Sequence, residues 1–124
     1  MIIGIGHDLV EISRVARAIN KNERFARRIC TEAEWQYCQE KGRPEASLAA
    51  RFAAKEAASK ALGTGIGKIS WHEVEVICNG AGNPALHLTG QALALAKEMG
   101  VTAAHVSMSH TQAYASAVVI LEGE

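Results

Sequence analysis

No apolar run in this sequence approaches the roughly 20 residues that a helix needs to cross a bilayer, so no membrane span is expected. Met1 leads straight into Ile2-Ile3-Gly4-Ile5-Gly6. There is no basic n-region and no small-residue cleavage site, so no secretory signal is expected either. Net charge is also missing, because 13 Lys and Arg balance 13 Asp and Glu. That balance argues against bulk electrostatic binding to nucleic acid or to a membrane surface. Cysteine is scarce. Cys30, Cys38 and Cys78 are odd in number and match no zinc or redox spacing, which fits a reducing cytosol and leaves them as inert fillers. Aromatic residues are only 5% of the chain. Alanine numbers 22 against 28 Leu, Ile, Val and Phe together. Alanine buries little surface, so the core is thin for the length, and subunit contacts are one way to supply the missing burial.

What remains is the composition of one folded unit. Hydrophobic residues make up 48% of 124 residues, enough for a single domain over residues 1–124 with a real core. Residues 2–6 read as a short, Gly-interrupted buried strand, followed at once by His7 and Asp8. From about Glu11 to Ile29 the spacing of Ile12, Val15 and Ile19 is helical, with a break near Asn20 and Asn22. Thr31 and Glu34 form a capping box for a helix running to about Gln39. Pro44 suits the first turn of a long helix that ends at Leu62, with Gly63 as the left-handed residue beyond it. Seven alanines between Ala49 and Ala61 favour that helix strongly.

The second half reads as strands. Trp71–Cys78 alternates polar and apolar residues, Asn79–Pro84 is a hairpin-type turn, and Ala85–Leu88 is a short strand. Thr89 is placed to cap a helix that stops at Gly100. Two final strands, about Ala103–Ser109 and Ala113–Leu121, have so short a link that they must be antiparallel. The expected class is α+β, an antiparallel sheet carrying helices on one side.

Three features could carry chemistry. Asp8 sits just past a Gly-flanked strand. It could serve as an oxygen ligand for magnesium or simply cap the next helix. On the Ala-rich helix, Phe52, Glu56, Lys60 and Gly63 share one stripe. Glu56 and Lys60 could be a solvated i,i+4 pair or a partly withdrawn functional pair. Arg51 and Lys55 lie one position around the helix, and these cations together could neutralise a pyrophosphate. The third feature is basic: Arg14, Arg17, Lys21, Arg24 and Arg28 recur at +3, +4, +3, +4, with only Glu23 among them. Such a stripe could dock an acidic partner or be a solvated face. His105 and Ser107 share one face of a strand, as core or as ligand lining. The histidines show no zinc spacing, and Gly63–Gly67 fails as a phosphate-binding loop because no strand precedes it and no Lys-Ser/Thr follows.

Ile3-Gly4-Ile5-Gly6-His7-Asp8, then Arg51-Phe52-Ala53-Ala54-Lys55-Glu56-Ala57-Ala58-Ser59-Lys60-Ala61-Leu62-Gly63, then His105-Val106-Ser107-Met108-Ser109-His110 resemble, in order and over the whole chain, holo-acyl-carrier-protein synthase. This is the small bacterial type of phosphopantetheinyl transferase. The Phe52–Ala61 stretch is the specific part. Glu73 stands where many relatives carry Asp.

The resemblance implies a cytosolic homotrimer with active sites between subunits. It implies phosphopantetheine transfer from coenzyme A to a serine of apo-acyl carrier protein, releasing adenosine 3',5'-bisphosphate. It makes Asp8 and Glu56 the magnesium ligands, with Glu56 and Lys60 catalytic. Coenzyme A contacts are implied at Arg51, Ser59, Lys60, Gly63, Pro84 and His105. The acidic carrier protein would dock on Arg14, Arg17, Lys21, Arg24 and Arg28. No nucleic acid or membrane partner is expected. A docking module without catalysis, or a magnesium-dependent phosphohydrolase, would explain parts of the same pattern.

Overall fold

A computed structural model describes all residues 1–124. Strand β1 (Ile2–Glu11) leads into helices α1 (Ile12–Lys21), α2 (Arg24–Ile29), α3 (Glu32–Gln39) and α4 (Pro44–Ala61). A single 3-10 turn, Trp71–Glu73, precedes strands β2 (Val74–Cys78) and β3 (Pro84–Leu88). Helix α5 (Gly90–Glu98) and strands β4 (Val101–His110) and β5 (Tyr114–Gly123) complete the chain. The class is α+β with antiparallel strands, as expected. The single sheet is corrected to two: a three-stranded sheet ordered β1-β5-β4 and a separate β2-β3 hairpin. No helix is long and apolar enough to cross a membrane.

Alanine decides the packing. Helix α4 buries twelve of its eighteen residues, including Ala49, Ala53, Ala57 and Ala61. Small side chains let β1 approach closely. A Cβ on Gly6 would overlap the Ala57 carbonyl oxygen, and one on Gly4 would overlap that of Ala61. Close backbone approach is a standard use of glycine, and here it seats β1 on α4. Two apolar clusters flank this contact. One gathers the C-terminal half of α4 with Val74, Val76, Ala92 and Val119; the other gathers its N-terminal half with Ile12, Val15, Ile29 and Trp35.

Several local signals held. Asn22 is the C-cap that separates α1 from α2. Both capping-box bonds of Thr31 and Glu34 are present, Pro44 opens α4, and Gly63 has φ 77°. Others need correction. Strand β1 runs to Glu11, not Gly6, because its residues pair with β5 without a break from Gly4 to Glu11. Asp8 is therefore mid-strand, opposite Ala117, and caps no helix. Thr89 makes no side-chain cap. The Glu73 carboxylate accepts instead from the Gln91 amide at 2.6 Å and from Ser70 N at 2.8 Å, and these two bonds hold its pKa below the usual range.

One polar group lies at the centre of the helical layer. Lys55 is 0% exposed, and its Nζ donates to Glu34 Oε1 (2.7 Å), Trp71 O (2.9 Å) and Val74 O (2.7 Å). The Glu34 carboxylate also accepts from the amides of Thr31 (2.9 Å) and Val76 (2.8 Å). All three ammonium donors are thus satisfied, which is the condition under which a buried ion pair is tolerated. Replacing Lys55 with Ala leaves a buried unpaired carboxylate and should cost about 3–5 kcal/mol in urea unfolding. Pairing Lys55→Met with Glu34→Gln should recover much of that loss. A single variant within about 1 kcal/mol of wild type would contradict the network's role.

Candidate functional site

Because Lys55 is fixed inward, the next residue along α4, about 100° further round, is turned toward β1. That residue is Glu56. With Phe52 and Lys60 it lines a cleft of about 580 Å³, whose other wall carries Asp8 from β1 and Arg14 from α1. Phe25 of α2 closes the apolar side, its ring centroid 6.4 Å from that of Phe52. Phe52 in turn packs on Trp71 at 5.0 Å. The structure therefore brings together Asp8, Glu56, Lys60 and Arg14, which come from three elements.

The ion pair in this cleft is not the i,i+4 pair that spacing suggests. Lys60 Nζ donates to Asp8 Oδ1 at 3.2 Å and to the His7 carbonyl oxygen at 3.0 Å. Lys60 remains half exposed, with 52% of its side chain accessible against 19% for Asp8. Glu56 has no salt-bridge partner. Burial pushes its carboxyl above the ordinary range, the Asp8 charge pushes it further, and Lys60 opposes both. Two carboxylates crowded beside one lysine form a donor set suited to a hard divalent cation. Magnesium typically takes only one or two protein carboxylates and completes its shell with water and substrate phosphate oxygens.

The remaining expected residues lie elsewhere. Ser59 is fully buried, and its hydroxyl donates to the Glu56 carbonyl oxygen at 2.7 Å, so from this chain it supports α4 and does not line the Asp8 cleft. Lys55 is withdrawn from any phosphate by the bonds described above. Gly63 is exposed past the end of α4. Pro84 opens β3, and His105 is exposed on β4, its Nε2 2.9 Å from Glu122 Oε1. Neither lines the Asp8 cleft.

Arg51 lines a second cleft, of about 400 Å³, with Lys41, Arg43, Cys78 and His110. Sequence reasoning missed Lys41 and Arg43 there. It paired Arg51 with Lys55 and named Ser59, but missed that all three are buried, for which their i+4 spacing among alanines was the available signal. In the basic stretch, Arg14, Arg17 and Lys21 lie on α1, and Arg24 and Arg28 on α2, all of them exposed. None takes part in an ion pair; only the neighbouring Arg27 does, with Glu32 at 3.3 Å.

Comparison with known proteins bears on what this geometry does. The family model of the 4'-phosphopantetheinyl transferase superfamily matches residues 4–119. The chain belongs to this superfamily. It is 53% identical to the holo-acyl-carrier-protein synthase of Alteromonas mediterranea, covering 98% of this chain and 97% of that one. The synthase of Moorella thermoacetica is 49% identical, over 94% of this chain and 91% of the relative. Among solved structures, the synthase of Neisseria meningitidis has a TM-score of 0.88 at 38% identity, covering 98% and 99% of the two chains. The Bacillus anthracis synthase, solved in complex with CoA (3',5'-ADP), has a TM-score of 0.83 at 38% identity, covering 100% and 99%.

The crowded carboxylates give a stability test. A raised folded-state pKa means that Glu56 contributes stability below the ordinary carboxylate pKa, and that this is lost as pH rises through the raised value. Glu56→Gln should therefore match wild type in acid and be the more stable protein at neutral pH in metal-free thermal denaturation. Equal stabilities across that range would show that Glu56 is not strained by burial and Asp8.

Proposed function

We propose that this chain transfers 4'-phosphopantetheine from coenzyme A to a serine hydroxyl of apo-acyl carrier protein, releasing adenosine 3',5'-bisphosphate. The observation that carries the reading is the convergence of Asp8, Glu56 and Lys60 in one cleft beside helices carrying unpaired arginines. In the transfer, the serine oxygen bonds to the pantetheine-side phosphorus, the bridging P–O bond of the diphosphate breaks, and the bisphosphate leaves with the bridging oxygen. Such displacements need charge neutralisation and in-line positioning more than covalent help from the protein. Asp8 and Glu56 would hold a magnesium ion, which when bound supplies positive charge to the diphosphate. Lys60 sits at the open side of the cleft and contributes a second positive charge to the same phosphates. Glu56, with its raised pKa, is also a group able to accept the serine proton.

The working enzyme on this reading is a cytoplasmic homotrimer built from one domain per chain. The outer face of the three-stranded sheet supports assembly. Ile5 and Leu9 of β1 are each 60% exposed, and Ile5 pairs with Ile120 of β5 in the same sheet. A neighbouring subunit covering that face would also bring Arg51, Pro84 and His105 of one chain toward coenzyme A in another chain's cleft. Leu9→Glu should then convert a trimer into monomers of 13.2 kDa in sedimentation equilibrium, with loss of transfer. A monomeric wild type at micromolar concentration would overturn the assembly.

The basic helices form the docking surface for the acidic carrier. Arg24→Glu should raise the KM for carrier protein several-fold, most at low ionic strength, and leave that for coenzyme A nearly unchanged. Wild-type kinetics across a salt series would leave the stripe as solvated surface.

The direct test of the reaction is the mass of apo-carrier protein after incubation with coenzyme A, magnesium and enzyme. The carrier should gain one phosphopantetheine, and Glu56→Gln should slow this by about a hundredfold or more. Coenzyme A hydrolysis with an unmodified carrier would point to a phosphohydrolase instead.

A further inference from the structure

Helix α2 carries Arg24 and Arg28, and it is too short to hold its own place. Its six residues make less than two turns, and a helix of that length is unstable in isolation. Apolar contacts seat one face and one end. Ala26 and Ile29 are buried, and the Phe25 ring stacks on Phe52 at the wall of the Asp8 cleft. These contacts leave α2 a pivot about Phe25.

A polar contact near the other end opposes that pivot. His72 Nε2 stands 2.8 Å from the Arg27 carbonyl oxygen. A carbonyl only accepts, so Nε2 carries the proton and donates. The last carbonyls of a helix have no partner within it, and His72 supplies one from 45 residues away. The other backbone bonds of α2 stay within residues 22–30. Its remaining polar link, between Arg27 and Glu32, joins two exposed side chains and is worth little.

His72 is exposed, but the turn that carries it is pinned on both sides. Before it, the Trp71 carbonyl accepts from the buried Lys55 ammonium, and the Trp71 ring packs on Phe52 at 5.0 Å. After it, the Glu73 carboxylate accepts from the amides of Ser70 and Gln91. The imidazole is therefore presented to α2 from a fixed support.

We propose that His72 is a positioning residue for docking of the carrier protein. Through the Arg27 carbonyl it sets the angle of α2, and so the reach from Arg24 and Arg28 to the Asp8–Glu56 cleft where the serine must arrive. This rests on the reading of the basic helices as the docking surface. Without the bond α2 samples other angles, and the carrier must select the productive one. That cost falls on the KM for the carrier and not on kcat.

The experiment measures steady-state transfer kinetics for His72→Ala, His72→Phe and His72→Gln, alongside Arg24→Glu. An exposed position tolerates all three changes at His72 without unfolding. The Ala and Phe variants should raise the KM for the carrier about fivefold, as expected for one hydrogen bond, and leave kcat and the KM for coenzyme A near wild type. Glutamine keeps an N–H donor at similar reach, so His72→Gln should restore carrier binding. Amide exchange in α2 should speed up in the Ala and Phe variants and not in the Gln variant. Adding His72→Ala to Arg24→Glu should cost less than it does in the wild type, because the arginine that it places is gone. A wild-type carrier KM in His72→Ala, no rescue by Gln, or an equal rise in the KM for coenzyme A would overturn the proposal. If Arg24→Glu itself leaves the carrier KM unchanged, the docking reading fails and this proposal fails with it.

Discussion

The placement of the candidate site depends on a charge that never meets solvent. Lys55 is enclosed by the Glu34 carboxylate and two backbone carbonyls, so α4 cannot rotate or slide without leaving an ammonium unpaired in the core. That bond set connects α3, α4 and the Trp71–Val74 segment. Glu56, the next residue in the chain, takes its direction from it. An alanine-rich helix has few large side chains to fix its orientation by interlocking, and a fully satisfied buried ion pair provides the missing specificity.

The second constraint is steric. Gly4 and Gly6 allow β1 to lie directly on the carbonyls of Ala57 and Ala61, and this contact carries Asp8 to the mouth of the Glu56 cleft. A residue 48 positions away in sequence thereby becomes an electrostatic neighbour, and its charge adds to the rise that burial imposes on the Glu56 pKa. Lys60 answers Asp8 and leaves Glu56 without a cation of its own. The cleft therefore has an unmet demand for positive charge, beside two helices whose basic residues, Arg27 apart, have no ion-pair partner. A diphosphate substrate bearing a divalent ion and an acidic protein substrate are chemically matched to these two neighbouring surfaces.

Much of this was legible before folding. The Thr31 capping box, Pro44, Gly63 and the break at Asn22 depend on local chemistry, which the chain displays directly. The stripe of Phe52, Glu56 and Lys60 was legible from helical spacing, and all three line one cleft. Features set by tertiary pairing were less visible. Strand β1 extends past Asp8 because β5 pairs with it, although His7 and Asp8 interrupt its apolar run. The hairpin of β2 and β3 stands apart from the main sheet, a choice that alternation cannot express. Lys55 read as a phosphate-facing cation because nothing in its neighbourhood reveals that Glu34, 21 residues earlier, is buried opposite it. The Asp8–Lys60 pair replaced the Glu56–Lys60 pair for the same reason.

The central claim is that Asp8 and Glu56 act jointly on a metal ion that contacts the diphosphate of coenzyme A. Calorimetric titration of coenzyme A into the enzyme, with and without magnesium, tests it most directly. Magnesium should tighten binding to the wild type, and this gain should vanish in both Asp8→Asn and Glu56→Gln while the folded structure, read by circular dichroism, is retained. An undiminished magnesium effect in either variant would contradict the claim and place the ion elsewhere.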